Sequence, residues 1–597
     1  MRKSTALGTA AAFFLTLAAC GDEPAREVDA SNPASDALAS VMDDHWELIL
    51  EENPVFAARL GREDGLGRLS DPSIEAYEEG VNQRRLLLTR LNAVDTPALS
   101  QDELLNHTLL TLELEEAQEE AQYGGKFLTL STFDAPHSDL ARLAEETALR
   151  TEEDYRSYVD RLAAMPDYIG KAIARLQGGI DAGWTQPCEA MTGFPRTYQT
   201  HIVDDAATSV FMLPFARQGA VDDDTHAAFA AQAEVLIRDQ VVPAFETFGL
   251  FYEGQYVPNC RQVVGVSSAP NGAAYYEQRV RSFTTTDMTA DEVHNVGLAE
   301  VARIRAEMEE VAAEAGFATL PEFQEHLRST PSFYPATAEE RVAVASTIAK
   351  KMDGELVKLF TVLPRMPYTI LPIPLDIAEG TTTAYYTRPA VDGSRAGVYW
   401  LNTTLLETRP LYELEALTLH EAVPGHHLQI ALMQELDLPN FRRFSGGFTA
   451  FVEGWGLYSE RLGLEVGFYE TPEDNFGRLS YEMWRACRLV VDTGLHAKGW
   501  SRQRAINFML DNTGLSENNI TREVDRYITW PGQAVAYKIG ELKIRELRKR
   551  AEDALGTDFD VRLFHDVVLG SGSIPLSVLE NHVDAFIEEQ MATGAAE

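Results

Sequence analysis

The residues best suited to chemistry lie in one short run, Leu417-Thr-Leu-His420-Glu421-Ala-Val-Pro424-Gly425-His426-His427-Leu-Gln429. It holds the only His-Glu dipeptide of the chain, in an apolar, helix-prone setting. Imidazole nitrogens ligate zinc, and a glutamate beside the first of them is placed to act as a base. The usual spacing for that chemistry is His-Glu-x-x-His, in which histidines four apart converge from one helical face. Here the spacing is wider. At about 100° and about 1.5 Å per residue, an unbroken helix turns His426 about 240° away from His420. His427 returns to the same face, but roughly 10 Å further along. Neither can share an ion with His420 in a regular helix. Pro424 breaks the regularity, because it lacks an N–H and its ring clashes with the carbonyl four residues back, that of His420. Gly425 tolerates the strained backbone that results. The run therefore predicts a bulge at Val423 to Gly425 that carries His426 into the place of an i+4 histidine and turns His427 elsewhere.

Two histidines and a base leave the site incomplete, since a catalytic zinc takes three protein ligands and keeps one position open. Phe451-Val-Glu453-Gly454-Trp455-Gly456-Leu-Tyr458-Ser-Glu460 offers the third. Glu453 is followed by a glycine that permits close helix approach, and by aromatic neighbours that can dry a pocket. Carboxylates further out should orient the ligand imidazoles. Glu460 returns to the helical face of Glu453, and Asp492 is the other candidate.

With these residues assembled, the chain resembles gluzincin metallopeptidases, whose third ligand sits in a similar Glu-Gly-aromatic context. More closely, it is similar to the bacterial lipoprotein group that shares domain of unknown function 885. The likeness rests on His420 to Gln429, Glu453 to Glu460, Val491-Asp492-Thr-Gly-Leu-His496-Ala-Lys-Gly-Trp500 and Trp530-Pro-Gly-Gln533-Ala-Val-Ala-Tyr537-Lys-Ile-Gly540. It implies a zinc-dependent peptidase in which His420, His426 and Glu453 are ligands and Glu421 takes a proton from the attacking water. It also implies a tyrosine or histidine that donates to the oxyanion. Tyr537 and His496 are the candidates, Tyr537 favoured by the rigid Trp-Pro-Gly-Gln approach to its helix. A carboxypeptidase would further need a cation for the substrate carboxylate, for which Arg388, Arg395 or Lys538 could serve.

The elements that position these residues read as helices. The chain has 597 residues, with 51 Lys+Arg against 92 Asp+Glu and a net charge of −41. That surface repels nucleic acid and anionic lipid. Apolar residues recur at helical spacing around 37–61, 72–93, 101–122, 151–179, 223–250 and 289–316, and again from 409 to 593. Thr151-Glu-Glu-Asp154 and Thr289-Ala-Asp-Glu292 mark two helix starts. One β signal, Thr381 to Asn402, reads as a hairpin just before the ligand helix. Its exposed edge could bind an extended peptide. The expected fold is mostly α, a large multi-helical body at 37–597 with an amino-terminal helical part at 37–280 and a catalytic part at 281–597.

The amino terminus reads as a targeting segment. Arg2 and Lys3 precede an apolar run from Ala6 to Leu17, and Leu17-Ala-Ala-Cys20 resembles the lipobox of bacterial lipoproteins, with Cys20 as the lipidated residue. The run is too short for a good membrane span. Residues 21–36 suit a flexible tether. The expected location is the cell envelope, lipid-anchored, at the periplasmic or outer membrane. In an oxidising compartment Cys188 and Cys260, both in turn-like sequence, can form a disulfide, while Cys487 lies in an apolar helical pattern. The reading is therefore a lipid-anchored zinc peptidase acting on peptides. The alternatives are a peptide- or partner-binding lipoprotein with a structural metal, and a metallohydrolase of a non-peptide amide or ester.

Overall fold

Local capping chemistry sets several helix starts. In the computed structural model, which describes residues 32–132, 135–378, 382–391, 393, 395–444 and 447–594, Asn32 caps a helix at Pro33–Glu52 (α1) through its side chain. The folded body thus begins inside the stretch read as tether. Cys20, the leader at 1–20 and residues 21–31 lie outside the described residues. Thr151 and Asp154 form a reciprocal capping box that opens Glu152–Ala182 (α2). Thr289 and Glu292 do the same for Ala290–Glu314 (α3). Each box satisfies two backbone donors that a helix start leaves free.

The fold is mostly α, with one small sheet. Its strands are Tyr368–Pro372 (β1), Ala384–Thr387 (β2) and Gly397–Leu401 (β3), in the order β1-β3-β2. The expected hairpin is the antiparallel β2–β3 pair, with Tyr386 opposite Tyr399. The parallel strand β1 was not expected. It pairs Tyr368 to Pro372 with Gly397 to Leu401 across a long connection, and its five residues end in a proline.

Beyond the sheet come Leu414–Glu421 (α4), His426–Glu435 (α5), Thr449–Leu462 (α6), Pro472–His496 (α7), Glu517–Thr529 (α8) and Ala536–Leu555 (α9). Every residue of α7 from Phe476 to His496 is buried. Around it pack α3 and α4, with α6 against α4 and α9 against α6. Leu417, Leu419, Phe451, Trp455, Val490 and Val491 belong to the core that holds these helices together. A second apolar cluster, with Tyr158, Phe194 and Phe245, lies in the amino-terminal part around α2.

Cys188 and Cys260 form a disulfide, their Cα atoms 5.2 Å apart across 72 residues. The backbone brings them together, since the Cys188 N–H donates to the Arg261 carbonyl (2.9 Å). Cys487 is a buried free thiol. Closing a loop of that length removes about 4 kcal/mol of unfolded-chain entropy in the simple model. Replacing both cysteines by serine should therefore lower stability by about 2–4 kcal/mol. The check is the denaturation midpoint without reductant, and an unchanged midpoint would show that the bond does not stabilise the fold.

Candidate metal centre

The helix that carries His420 does not bulge; it stops. α4 ends at Glu421 and α5 starts at His426. Between them Ala422 (φ −98°, ψ −112°) and Gly425 (φ −77°, ψ −128°) redirect the chain, and the Val423–Pro424 peptide is cis. The Pro424 carbonyl accepts a hydrogen bond from Trp455 Nε1 (2.9 Å), which ties this connection to α6. Glycine at 425 has a second reason besides the redirected backbone. Its φ is negative, but a Cβ there would lie 1.9 Å from the His420 carbonyl oxygen, so the position needs close approach and not a left-handed backbone.

The break brings three predicted residues together. Glu453 Oε2 lies 3.6 Å from His420 Nε2 and 3.4 Å from His426 Nε2. The three ligand atoms all lie within 4.8 Å of one another. The two imidazoles stand edge to face, 4.6 Å apart and 85° inclined. His427 turns away, its Nδ1 bonded to the Tyr386 hydroxyl (2.9 Å) and its Nε2 to the Met366 carbonyl (3.0 Å).

Helix α6 is held unusually close. A Cβ on Gly456 would lie 2.8 Å from His420 Cε1, so its absence seats that ring. Two residues earlier, a Cβ on Gly454 would lie 2.6 Å from the Gly540 Cα, which marks where α6 and α9 cross. That crossing sets Glu453 of α6 beside Tyr537 of α9. Glu460 bonds His420 Nδ1 (2.8 Å) and lies 3.6 Å from Arg485 Nη2. With Nδ1 donating to Glu460, the His420 Nε2 lone pair faces Glu453 and His426, which is how a carboxylate orients a ligand imidazole.

The donor set fits a divalent cation. Glu453 Oε2 is buried and has no hydrogen-bond partner, and the distances to both imidazoles exceed ordinary hydrogen-bond lengths. A lone buried acceptor facing two nitrogens is costly unless a cation satisfies it. Two imidazoles with one carboxylate, and space for a further ligand, suit zinc. Burial pushes the Glu453 carboxyl up, but the imidazoles outweigh it and hold the group well below the usual carboxylate range.

Glu421 is 7 % exposed beside this group. Burial raises its pKa above the usual value, with His420 and His426 pulling it down and Glu453 pushing it up. Burial raises the Tyr537 hydroxyl too, and Glu453 adds to the rise, so the hydroxyl feels the carboxylate's charge. The Tyr537 side is half-buried, whereas His420 and His426 are buried.

Two predicted residues belong elsewhere. Asp492 orients no ligand imidazole; it accepts from the Tyr276 hydroxyl (2.6 Å) and the Gly532 N–H (3.1 Å). His496 is no oxyanion donor, because its Nδ1 accepts from Val266 N–H (3.0 Å) and its Nε2 donates to the Tyr527 carbonyl (2.9 Å). Both face away because α7 is enclosed on every side, and its last turns meet α8 and the segment before Tyr276. Burial lowers His496 to about 4. Its folded pKa therefore lies below its unfolded value of about 6.5. The stability it contributes is present above pH 6.5 and lost as pH falls towards 4, at about 1.4 kcal/mol per pH unit. His496→Gln should be less stable at pH 7 but show a shallower acid slope in denaturation series from pH 7 to 4. An unchanged slope would remove this histidine from the account.

Two of the three cations expected for a substrate carboxylate are engaged. Lys538 is fully buried among Glu300, Glu482 and Glu541, with N···O distances of 2.9–3.1 Å. Arg388 donates to the Phe444 carbonyl (3.0 Å), and Arg395 is exposed. Two arginines were missed, Arg485 beside Glu460 and Arg488 under the Tyr537 ring. A signal for them existed. Charged residues at 478, 482, 485, 488 and 492 recur at helical spacing within an otherwise apolar run, marking one polar stripe on a buried helix.

A family model described as bacterial protein of unknown function (DUF885) matches residues 54–583. The chain belongs to that family. A crystal structure described as that of "the putative lipoprotein from Colwellia psychrerythraea" is 28% identical to this DUF885 chain, with a TM-score of 0.87 over 94% of this chain and 100% of the other. A second, described as "a putative lipoprotein of unknown function from Shewanella oneidensis", is 19% identical with a TM-score of 0.69 over 92% and 99%, and shows the fold alone. No curated protein matches.

Proposed function

We propose that this DUF885 protein is a zinc-dependent peptidase of the bacterial cell envelope. The observation that supports it most is the convergence of His420, His426 and Glu453 with the unpartnered Glu453 oxygen between two imidazoles. His420, His426 and Glu453 hold the ion, and Glu460 fixes the His420 ring. When bound, zinc would supply Lewis-acid activation of water and of the scissile carbonyl. Glu421 accepts the proton of the attacking water and passes it to the leaving amine. Tyr537 donates its O–H to the oxygen on which negative charge develops. The enclosure of the ligands by helices favours a flexible peptide over a folded protein. The envelope location draws on the lipobox-like Leu17 to Cys20 and on the lipoprotein description of the Colwellia psychrerythraea structure. No described helix is long and apolar enough to cross a membrane.

The test combines metal analysis with cleavage of a peptide library followed by mass spectrometry. One zinc per chain, cleavage lost to a chelator and restored by zinc, is the expected result. Zinc bound without cleavage of any peptide would move the reading to a structural metal or to a non-peptide substrate.

A further inference from the structure

We propose that Arg488 anchors the free carboxylate of a peptide substrate, so that the centre removes residues from the C-terminal end. This deepens the peptidase reading and rests on it. Arg488 is 3 % exposed, and its guanidinium is largely used. Its Nε donates to the Tyr527 hydroxyl (2.9 Å) and its Nη2 to Glu523 (2.9 Å). The remaining nitrogen, Nη1, is buried and has no hydrogen-bond partner. Buried donors are nearly always satisfied, and leaving one free costs about 1–3 kcal/mol. A donor left over on a charged group, beside a candidate centre, is an acceptor's place.

Its position supports the assignment. The guanidinium carbon lies 4.4 Å from the centroid of the Tyr537 ring and 4.5 Å from that of Trp484, a sandwich that fixes its plane. Tyr537 is the residue that the α6–α9 crossing sets beside Glu453. The Gln533 amide is held by Arg526, which donates to its Oε1 (2.8 Å), and its Nε2 points to the Tyr537 hydroxyl (3.4 Å). Arg488 and Gln533 thus both contact the half-buried Tyr537, and Arg488 brings to it a donor with no partner.

The charge balance agrees. Arg488 and Arg526 share the carboxylate of Glu523, so these three side chains together carry one excess positive charge. The cations considered from sequence are otherwise placed: Lys538 is surrounded by three carboxylates. Because an amino-terminal ammonium would be repelled here, this charge selects the carboxyl end of a peptide. Arg is suited to the task, since its planar fork matches a carboxylate in a way that a lysine does not.

The experiment compares two acetylated pentapeptide libraries, one with free C-terminal carboxylates and one amidated, on the zinc-loaded full chain and on Arg488→Lys. Lysine retains a charge for Glu523, and its thermal unfolding serves as the folding control. The wild type should cleave the free-acid library about 10- to 100-fold faster than the amide, the range of one charged hydrogen-bonded contact. Arg488→Lys should lose that preference, mainly through a raised KM on the free-acid library. Equal cleavage of both libraries by the wild type would overturn the anchor while leaving the peptidase reading intact. An equal loss on acids and amides in Arg488→Lys would overturn it as well, assigning the arginine to the fold or to Tyr537. If neither library is cleaved, the peptidase reading fails. NMR titration with N-acetyl-dialanine and its amide then decides the anchor: acid-selective binding lost in Arg488→Lys supports it, and equal binding of the two probes sinks it.

Discussion

Glu421→Gln should retain zinc and lose peptide cleavage by about 100- to 10,000-fold, the span of a positioned general base. The separation of the two readouts follows from geometry. Glu421 closes α4 next to His420, but the three converging ligand atoms come from His420, His426 and Glu453. Glutamine preserves the size and one oxygen of the side chain while removing the capacity to take a proton. Metal content, measured after dialysis, should therefore stay at one per chain. The pH profile gives a second check with a defined sign. A base must be ionised to act, and burial raises Glu421 above the ordinary carboxylate range. Cleavage by the wild type should fall on the acid side as Glu421 takes up a proton, and that limb should vanish from the residual activity of the variant. Unchanged cleavage in Glu421→Gln would remove this residue from the mechanism whatever the metal content.

How much of this was legible depends on whether a cause is local in the chain. The capping boxes at Thr151 and Thr289 were readable because donor and acceptor lie three residues apart. The wide spacing of His420 and His426 was readable because proline and glycine between them have few backbone options, although the outcome is a break at Ala422 to Gly425 and not a bulge. Glu460 was found by helical phase alone, since a residue seven after Glu453 shares its face. Phase did not suffice for Asp492 and His496. They lie on a helix buried all round, where every face has a partner, and only the partner's identity says which charge serves the centre. Asp492 meets Tyr276 and Gly532, while Arg485, two turns earlier, meets Glu460. β1 escaped for a related reason, since a parallel strand gains its hydrogen bonds from β3 across an intervening helix and strand and leaves little periodicity in five residues. Lys538 shows the converse error. A lysine next to Tyr537 looked available in sequence, yet the helix turns it to the opposite side, into Glu300, Glu482 and Glu541.

Removing Glu453 should have the largest effect on the metal itself. Glu453→Ala deletes one of three ligands and should weaken zinc binding by more than 100-fold, beyond the 10–100-fold associated with loss of an outer hydrogen-bond partner. Glu460→Gln supplies that comparison in the same molecule. Its carboxylate touches His420 Nδ1 and not the converging atoms, so it should fall within the outer-partner range. The ranking is independent of catalysis and can be read from zinc titration and thermal unfolding. At a free zinc concentration 100 times its Kd, the wild type should gain about 2.7 kcal/mol from binding the folded state. Glu453→Ala should gain almost nothing under the same conditions. A wild type that gains no stability from zinc, or a Glu453→Ala protein that gains as much, would place any bound metal elsewhere and dissolve the centre.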